Sequence, residues 1–278
     1  MKHEELHWTT NDGLKLYAQG WAPDQEAVAI LCLVHGLGEH SGRYSHWAAK
    51  YTDAGFAVLS FDLRGHGKSE GLRGHAPSFD HLADDISLML NYADKHYEGK
   101  PVFLYGHSLG GLLALYYLTQ RRPSLKGAII TSPGLRTIAE KQKMKLAFGR
   151  AAVKVIPHLT VPNGLDRNNL CHEPEVIKAY QSDPLVHDRI SLALAAEMIE
   201  ATDYILSSAG ELKTPLLVMH GSDDELTYAS GSEELAAAAQ NSCTLKLYEG
   251  LFHELHNEFE QDTVFADQLE WLTTRLGE

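Results

Sequence analysis

Two hydrophobic rhythms alternate along the chain. Leu14 to Trp21 reads as a strand that follows the turn residues Asn11-Asp12-Gly13, so an N-terminal hairpin is expected. Ala27 to Val34 is a continuous apolar run, the pattern of a strand buried on both faces. Tyr44 to Ala54 has helical spacing, Ala57 to Phe61 is strand-like, and Phe79 to Tyr97 is a long amphipathic helix. Val102 to Tyr105 predicts a strand, Leu112 to Gln120 a helix, and Ala128 to Thr131 a further strand. Later strands are expected at Leu216 to His220 and Thr244 to Tyr248, with helices at Glu233 to Ala239 and Phe259 to Leu276. This alternation predicts an α/β fold: a mostly parallel sheet flanked by helices.

From about Pro133 to Leu206 the rhythm breaks. The segment has helical patterns, Pro157, Pro162, Pro174 and Pro184, and no evident strand. It reads as a helical cap at residues 134–206, inserted into one core domain made of residues 1–133 and 207–278. No repeat or low-complexity segment appears.

A length of 278 residues with 44% hydrophobic composition suits one large α/β domain carrying an insertion. A net charge of −13 argues against nucleic acid as a partner. Cys32, Cys171 and Cys243 are too few and too scattered for a disulfide framework. The N-terminal residues are polar, and no apolar stretch approaches the roughly 18 residues of a membrane span. A soluble, cytoplasmic protein is expected, with no obligate protein partner implied.

The candidate chemistry begins at Gly106-His107-Ser108-Leu109-Gly110. Gly-x-Ser-x-Gly by itself is a weak pattern. Between an apolar strand and a helix it is the context of a nucleophile elbow, a tight turn that lifts a serine hydroxyl clear of the sheet. A serine nucleophile needs a base, and the base an orienting acid, in the chain order Ser, Asp or Glu, His. The late strands end in Ser222-Asp223-Asp224-Glu225 and Leu251-Phe252-His253, and the carboxyl ends of parallel strands face the ligand crevice. Asp223, Asp224 and Glu225 compete for the acid role; the short turn after Gly221 favours Asp224. His253 is the base. His256 lies at i+3 from it, whereas the zinc-protease pairing needs i+4, so no metal is expected. The oxyanion donors are the N–H of Leu109, after the nucleophile, and that of Leu37, in His35-Gly36-Leu37-Gly38. Acyl transfer by this set requires no cofactor. Its rate should fall at acid pH, with an apparent pKa near the ~6.5 of free imidazole.

Four segments carry a family resemblance: His35 to Tyr44, Asp62 to Gly71, Gly106 to Gly111 and Tyr248 to His256, with Ser182-Asp183-Pro184-Leu185 as a fifth. Together they resemble monoacylglycerol lipases, in the lysophospholipase-like branch of the α/β-hydrolases. The resemblance implies an α/β-hydrolase fold and cleavage of a glycerol ester carrying one fatty acyl chain. It implies Ser108 as nucleophile, Asp224 as acid and His253 as base. It also implies that Glu39, Arg43, His107 and His256 line the polar end of the pocket near the glycerol, although Glu39 and Arg43 could instead form a structural ion pair. A lysophospholipase or a short-chain esterase would use the same triad, and a non-catalytic receptor on this fold is a further alternative.

The cap has its own signal. Between Gly134 and Thr160 six basic residues, Arg136, Lys141, Lys143, Lys145, Arg150 and Lys154, face a single acid, Glu140. Met144, Phe148, Ala151 and Val155 fall on one helical stripe. Met144 and Phe148 are expected to line an acyl tunnel, and the basic face to touch lipid surfaces.

Overall fold

In the computed structural model, the described residues are 1–137, 153 and 155–278. Met144 and Phe148, like Lys141, Lys143, Lys145, Arg150 and Lys154, lie outside them.

The N-terminal hairpin forms from β1 (Lys2–Thr9) and β2 (Lys15–Ala22). The core strands follow as β3 (Ala29–Val34), β4 (Phe56–Phe61), β5 (Val102–His107) and β6 (Gly127–Thr131). Two three-residue strands, β7 (Thr160–Pro162) and β8 (Arg189–Ser191), pair with each other. Strands β9 (Leu216–Gly221) and β10 (Cys243–Tyr248) complete the main sheet. Its order is β1-β2-β4-β3-β5-β6-β9-β10. The β1–β2 and β2–β4 pairings are antiparallel and the rest parallel. β3 (AILCLV) and β4 (FAVLSF) are buried at every position, as strands covered on both faces must be.

Alternate side chains of β3 enter separate cores on the two faces. Ile30, Cys32 and Val34 pack with residues of α2 (Phe79–His96) and α3 (Leu109–Arg121), while Ala29, Leu31 and Leu33 pack with α1 (Ser45–Asp53) and the C-terminal helix. After α4 (Pro174–Ser182), α5 (Leu192–Ser208) and α6 (Ala229–Ala238), that last helix is α7 (Gln261–Gly277).

Register positions the site. Val34 pairs with Gly106, His107 with Thr131, Thr131 with Met219, and Tyr248 with Gly221. Five parallel strands therefore end level, and the loops after β3, β5, β9 and β10 emerge along one edge.

The segment between β6 and β9 corrects the expectation of no strand there. β7 and β8 escape notice because three residues are too few to show period-two alternation, and Pro162 reads as a breaker although it closes an edge strand. α5 also continues past residue 206, to Ser208. This segment is tied to the core by the His187 N–H donating to Gly38 O (2.9 Å), Ser191 N–H to Gly74 O (2.8 Å) and Phe79 N–H to Glu197 Oε2 (2.7 Å).

Candidate active site

Ser108 sits between the end of β5 and the start of α3 with φ 55° and ψ −118°. Among the described residues only two others that are not glycine have positive φ, Arg122 and Ser132. Such a conformation costs of order 1–3 kcal/mol and persists only where its surroundings enforce it. Here the enforcement is close backbone approach. A Cβ on Gly106 would overlap the backbone of Gly110, and one on Gly110 would overlap the carbonyl oxygens of Val34 and His35. The Ser108 N–H donates to Thr131 O (3.0 Å), and Ser108 O accepts from Leu112 N–H (3.0 Å) and Gly134 N–H (3.2 Å). The helix start behind Ser108 turns its positive end toward the hydroxyl.

The loop after β9 brings Asp224 to the loop after β10. His253 Nδ1 donates to Asp224 Oδ2 at 2.7 Å, with both side chains buried. Asp224 Oδ1 accepts the N–H groups of Leu226 (2.8 Å) and Thr227 (2.9 Å), and Thr227 Oγ1 donates to Oδ2 (2.9 Å). Burial opposes the Asp224 charge, but the facing His253 and the hydrogen bonds to it prevail and hold its pKa well below the usual carboxylate value. Burial likewise disfavours the His253 imidazolium, and the Asp224 carboxylate outweighs it, so the His253 pKa is raised. Ser132 Oγ donates to His253 O (2.8 Å) and anchors that loop to the end of β6. The rivals of Asp224 point elsewhere: Asp223 is exposed and accepts from Ser222 Oγ, and Glu225 is exposed and accepts from Asn169.

Ser108 and His253 open into one cavity of about 390 Å³. Leu37 and Leu109 border it beside Ser108. Its walls are mainly apolar, with Leu135, Leu165, Ile190, Met198, Ile199 and Leu226 among them.

Glu39, Arg43, His107 and His256 do not line this cavity. They form a buried cluster behind it. Arg43 forks onto Glu254 (2.6 and 2.8 Å) and also donates to Glu39 (2.5 Å). Glu39 Oε1 accepts from Tyr44 Oη (2.7 Å) and Gly36 N–H (2.6 Å), and Asn257 donates to Glu254 (2.7 Å). The guanidinium lies 4.6 Å from the centre of the Tyr180 ring. Glu39 and Arg43 are thus joined in an ion-pair network. The His107 ring stands 4.7 Å from that of His253 and 5.0 Å from that of His256, and His256 stacks on Tyr44 at 4.8 Å. Burial holds both His107 and His256 well below the ordinary imidazole pKa. Neither ring nitrogen of His256 has a hydrogen-bond partner among the described residues.

Sequence reasoning missed Glu254, Thr227, Ser132 and His220. Glu254 had a signal, since it follows the base directly. His220 precedes the acid by four residues at the end of β9, and its Nε2 lies 3.1 Å from Asp224 Oδ2.

Residues 25–260 match the family described as serine aminopeptidase, S33. The chain belongs to this family. Relatives with similar sequences cover almost all of it. An uncharacterized abhydrolase domain-containing protein of Dictyostelium discoideum is 36% identical over 96% of this chain, which spans 28% of that longer protein. A monoacylglycerol lipase of Mycolicibacterium smegmatis is 31% identical, with 95% of each chain covered. The crystal structure of Paleococcus ferrophilus monoacylglycerol lipase superposes with a TM-score of 0.86 at 32% identity, covering 94% of this chain and 99% of that one. The fold of this S33 chain is that of the α/β-hydrolases.

Proposed function

We propose that this chain hydrolyses the fatty acyl ester of monoacylglycerols to free fatty acid and glycerol through an acyl-enzyme. The observation that carries the reading is Ser108, held on a strained elbow, opening into the same apolar cavity as a histidine bonded to a buried aspartate. The near full-length similarity to two monoacylglycerol lipases supports the substrate class.

With Asp224 holding the hydrogen on Nδ1, His253 Nε2 is free to act as base. It takes the Ser108 hydroxyl proton as Oγ attacks the ester carbonyl. The N–H groups of Leu37 and Leu109 hold the oxyanion, each donor worth about 3 kcal/mol. His253, now charged, gives its proton to the departing glycerol oxygen. Water then attacks the acyl-enzyme by the same route, releasing fatty acid and restoring Ser108. A raised His253 pKa favours the imidazolium formed at each attack.

The acyl chain lies along Leu135, Ile190, Met198 and Ile199. Glu39, Arg43, His107 and His256 serve the polar end from behind, fixing the loop after β3 and the ring of His253. Residues 134–206 act as the cap on a core of residues 1–133 and 207–278, a division supported by Gly134 to Thr137 and by Ala195, Met198, Ile199, Thr202 and Asp203 bordering the cavity. Peripheral contact of this cap with lipid is supported by Val155 (80% exposed), Ile156, Leu159 and Val161, all exposed and next after the basic run in the sequence. Among the described residues no helix is long and apolar enough to cross a membrane. Cytoplasmic residence is supported by three unpaired cysteines.

Turnover of monoacylglycerols should exceed that of di- and triacylglycerols, lysophospholipids and short-chain esters, and Ser108→Ala should abolish it. Preference for a lysophospholipid or a short ester would overturn the substrate assignment, and retained turnover in the variant would overturn the site.

A further inference from the structure

The Asp224 carboxylate is shared by two histidines. His220, fully buried at the end of β9, brings Nε2 to 3.1 Å from Asp224 Oδ2 and 3.0 Å from Thr227 O. Carboxylate and carbonyl oxygens only accept, so Nε2 carries the hydrogen. On the other side of the ring, Nδ1 accepts from Ser232 Oγ at 2.7 Å, a hydroxyl supplied by α6. The tautomer is therefore set from both sides by separate elements.

We propose that His220 is a positioning residue for the acid of the triad, fixing the rotation of the Asp224 carboxylate and moderating its pull on His253. The inference rests on the serine-hydrolase reading of the site. Its physical basis is competition for one oxygen. Oδ2 accepts from both His253 Nδ1 (2.7 Å) and His220 Nε2 (3.1 Å), while the two backbone donors hold Oδ1. A donor on Oδ2 stabilises the carboxylate and takes part of the charge that would otherwise favour the His253 imidazolium. Taking that donor away leaves Asp224 still anchored through Oδ1 and through Thr227 Oγ1, but more strongly directed at His253. The other ionisable groups facing His253 are His107 from β5, Glu254 beside it and Glu39 from the loop after β3. None of these bonds to His220, whose own partners are Asp224, Thr227 and Ser232.

The test is the pH dependence of kcat/KM for monoacylglycerol hydrolysis in the wild-type chain, His220→Phe and His220→Gln. Phenylalanine keeps the ring and removes the donor; its acid limb should move up by roughly half to one pH unit, with kcat lowered. Glutamine restores an N–H, and the limb should return toward wild type. A merely structural histidine would lower activity or stability and leave the limb in place, so an unmoved or lowered limb in the Phe variant overturns the proposal. Nitrogen-15 spectra of wild-type histidines give a second reading that needs no variant to fold. Hydrogen on His220 Nε2 is expected, and hydrogen on Nδ1 alone would overturn the proposal. Ser108→Ala separates the two levels. If it retains turnover, the reading of the site fails and the proposal with it; if it abolishes turnover and the limb is unmoved, only the role of His220 fails.

Discussion

Asp224→Asn changes one atom of the site, and the geometry dictates the consequence. Oδ1 faces two backbone donors, Leu226 N–H and Thr227 N–H, so the asparagine oxygen must settle there. That leaves the amide nitrogen at the position of Oδ2, facing His253 Nδ1, His220 Nε2 and Thr227 Oγ1, all of which donate in the wild type. Donor cannot face donor at these distances. His253 escapes by moving its hydrogen to Nε2, and the nitrogen that should take the Ser108 proton is then already protonated. Loss of the base tautomer and of the charge that stabilises the imidazolium lowers kcat by about 10⁴-fold, or roughly 5 kcal/mol of barrier. The variant should remain folded, because the amide replaces a carboxylate of the same shape. The assay is steady-state turnover of a monoacylglycerol near pH 8, beside a urea unfolding curve. A folded Asp224→Asn protein within tenfold of wild type would refute the assignment and return Asp223 and Glu225 to contention.

Arg43→Ala strips the only cation bonded to Glu39 and Glu254 among the described residues, leaving two buried carboxylates unpaired; a loss of about 3–5 kcal/mol in urea unfolding is expected, and an unchanged midpoint would contradict the network. The acid limb of kcat/KM should lie above the ~6.5 of free imidazole because the His253 pKa is raised, and a limb at or below that value would contradict the dominance of Asp224. The same shift stabilises the fold fully below the unfolded imidazole value, and that contribution disappears as pH rises through the folded one. Gly110→Ala drives a Cβ into the carbonyl oxygens of Val34 and His35, which belong to the central strand and the loop after it and cannot yield separately; a destabilisation of roughly 1–3 kcal/mol or more with lost turnover is expected, checked by unfolding and by activity. Unchanged stability and turnover would mean that the elbow is looser than its geometry.

Much of this site was legible in the residues because its chemistry is local to strand ends. A continuous apolar run marks β3 and a shorter strand-like run β4, and the elbow motif, the Asp224 turn and His253 each lie in the stretch that follows a strand. What was not legible depends on distance along the chain. Arg43 and Glu254 are separated by 211 residues, so no window could join them, and the ion pair they form draws Glu39 and Arg43 away from the cavity wall. His220 looked like the last apolar-strand position before a turn; only the fold supplies Ser232 on one side of it and Asp224 on the other. Helix α3 begins at Leu109, three residues before its expected start, because the glycines required by close approach at the elbow mask its first turn. β7 and β8 are stabilised by pairing across the segment and carry no pattern of their own.

The central claim is that Ser108 is a nucleophile activated by His253. The most direct measurement is covalent labelling with a fluorophosphonate, followed by mass mapping of the modified peptide. A single adduct on Ser108 is predicted, absent in Ser108→Ala and strongly slowed in His253→Ala. No adduct on the folded wild-type chain, or one on another residue, would contradict the account.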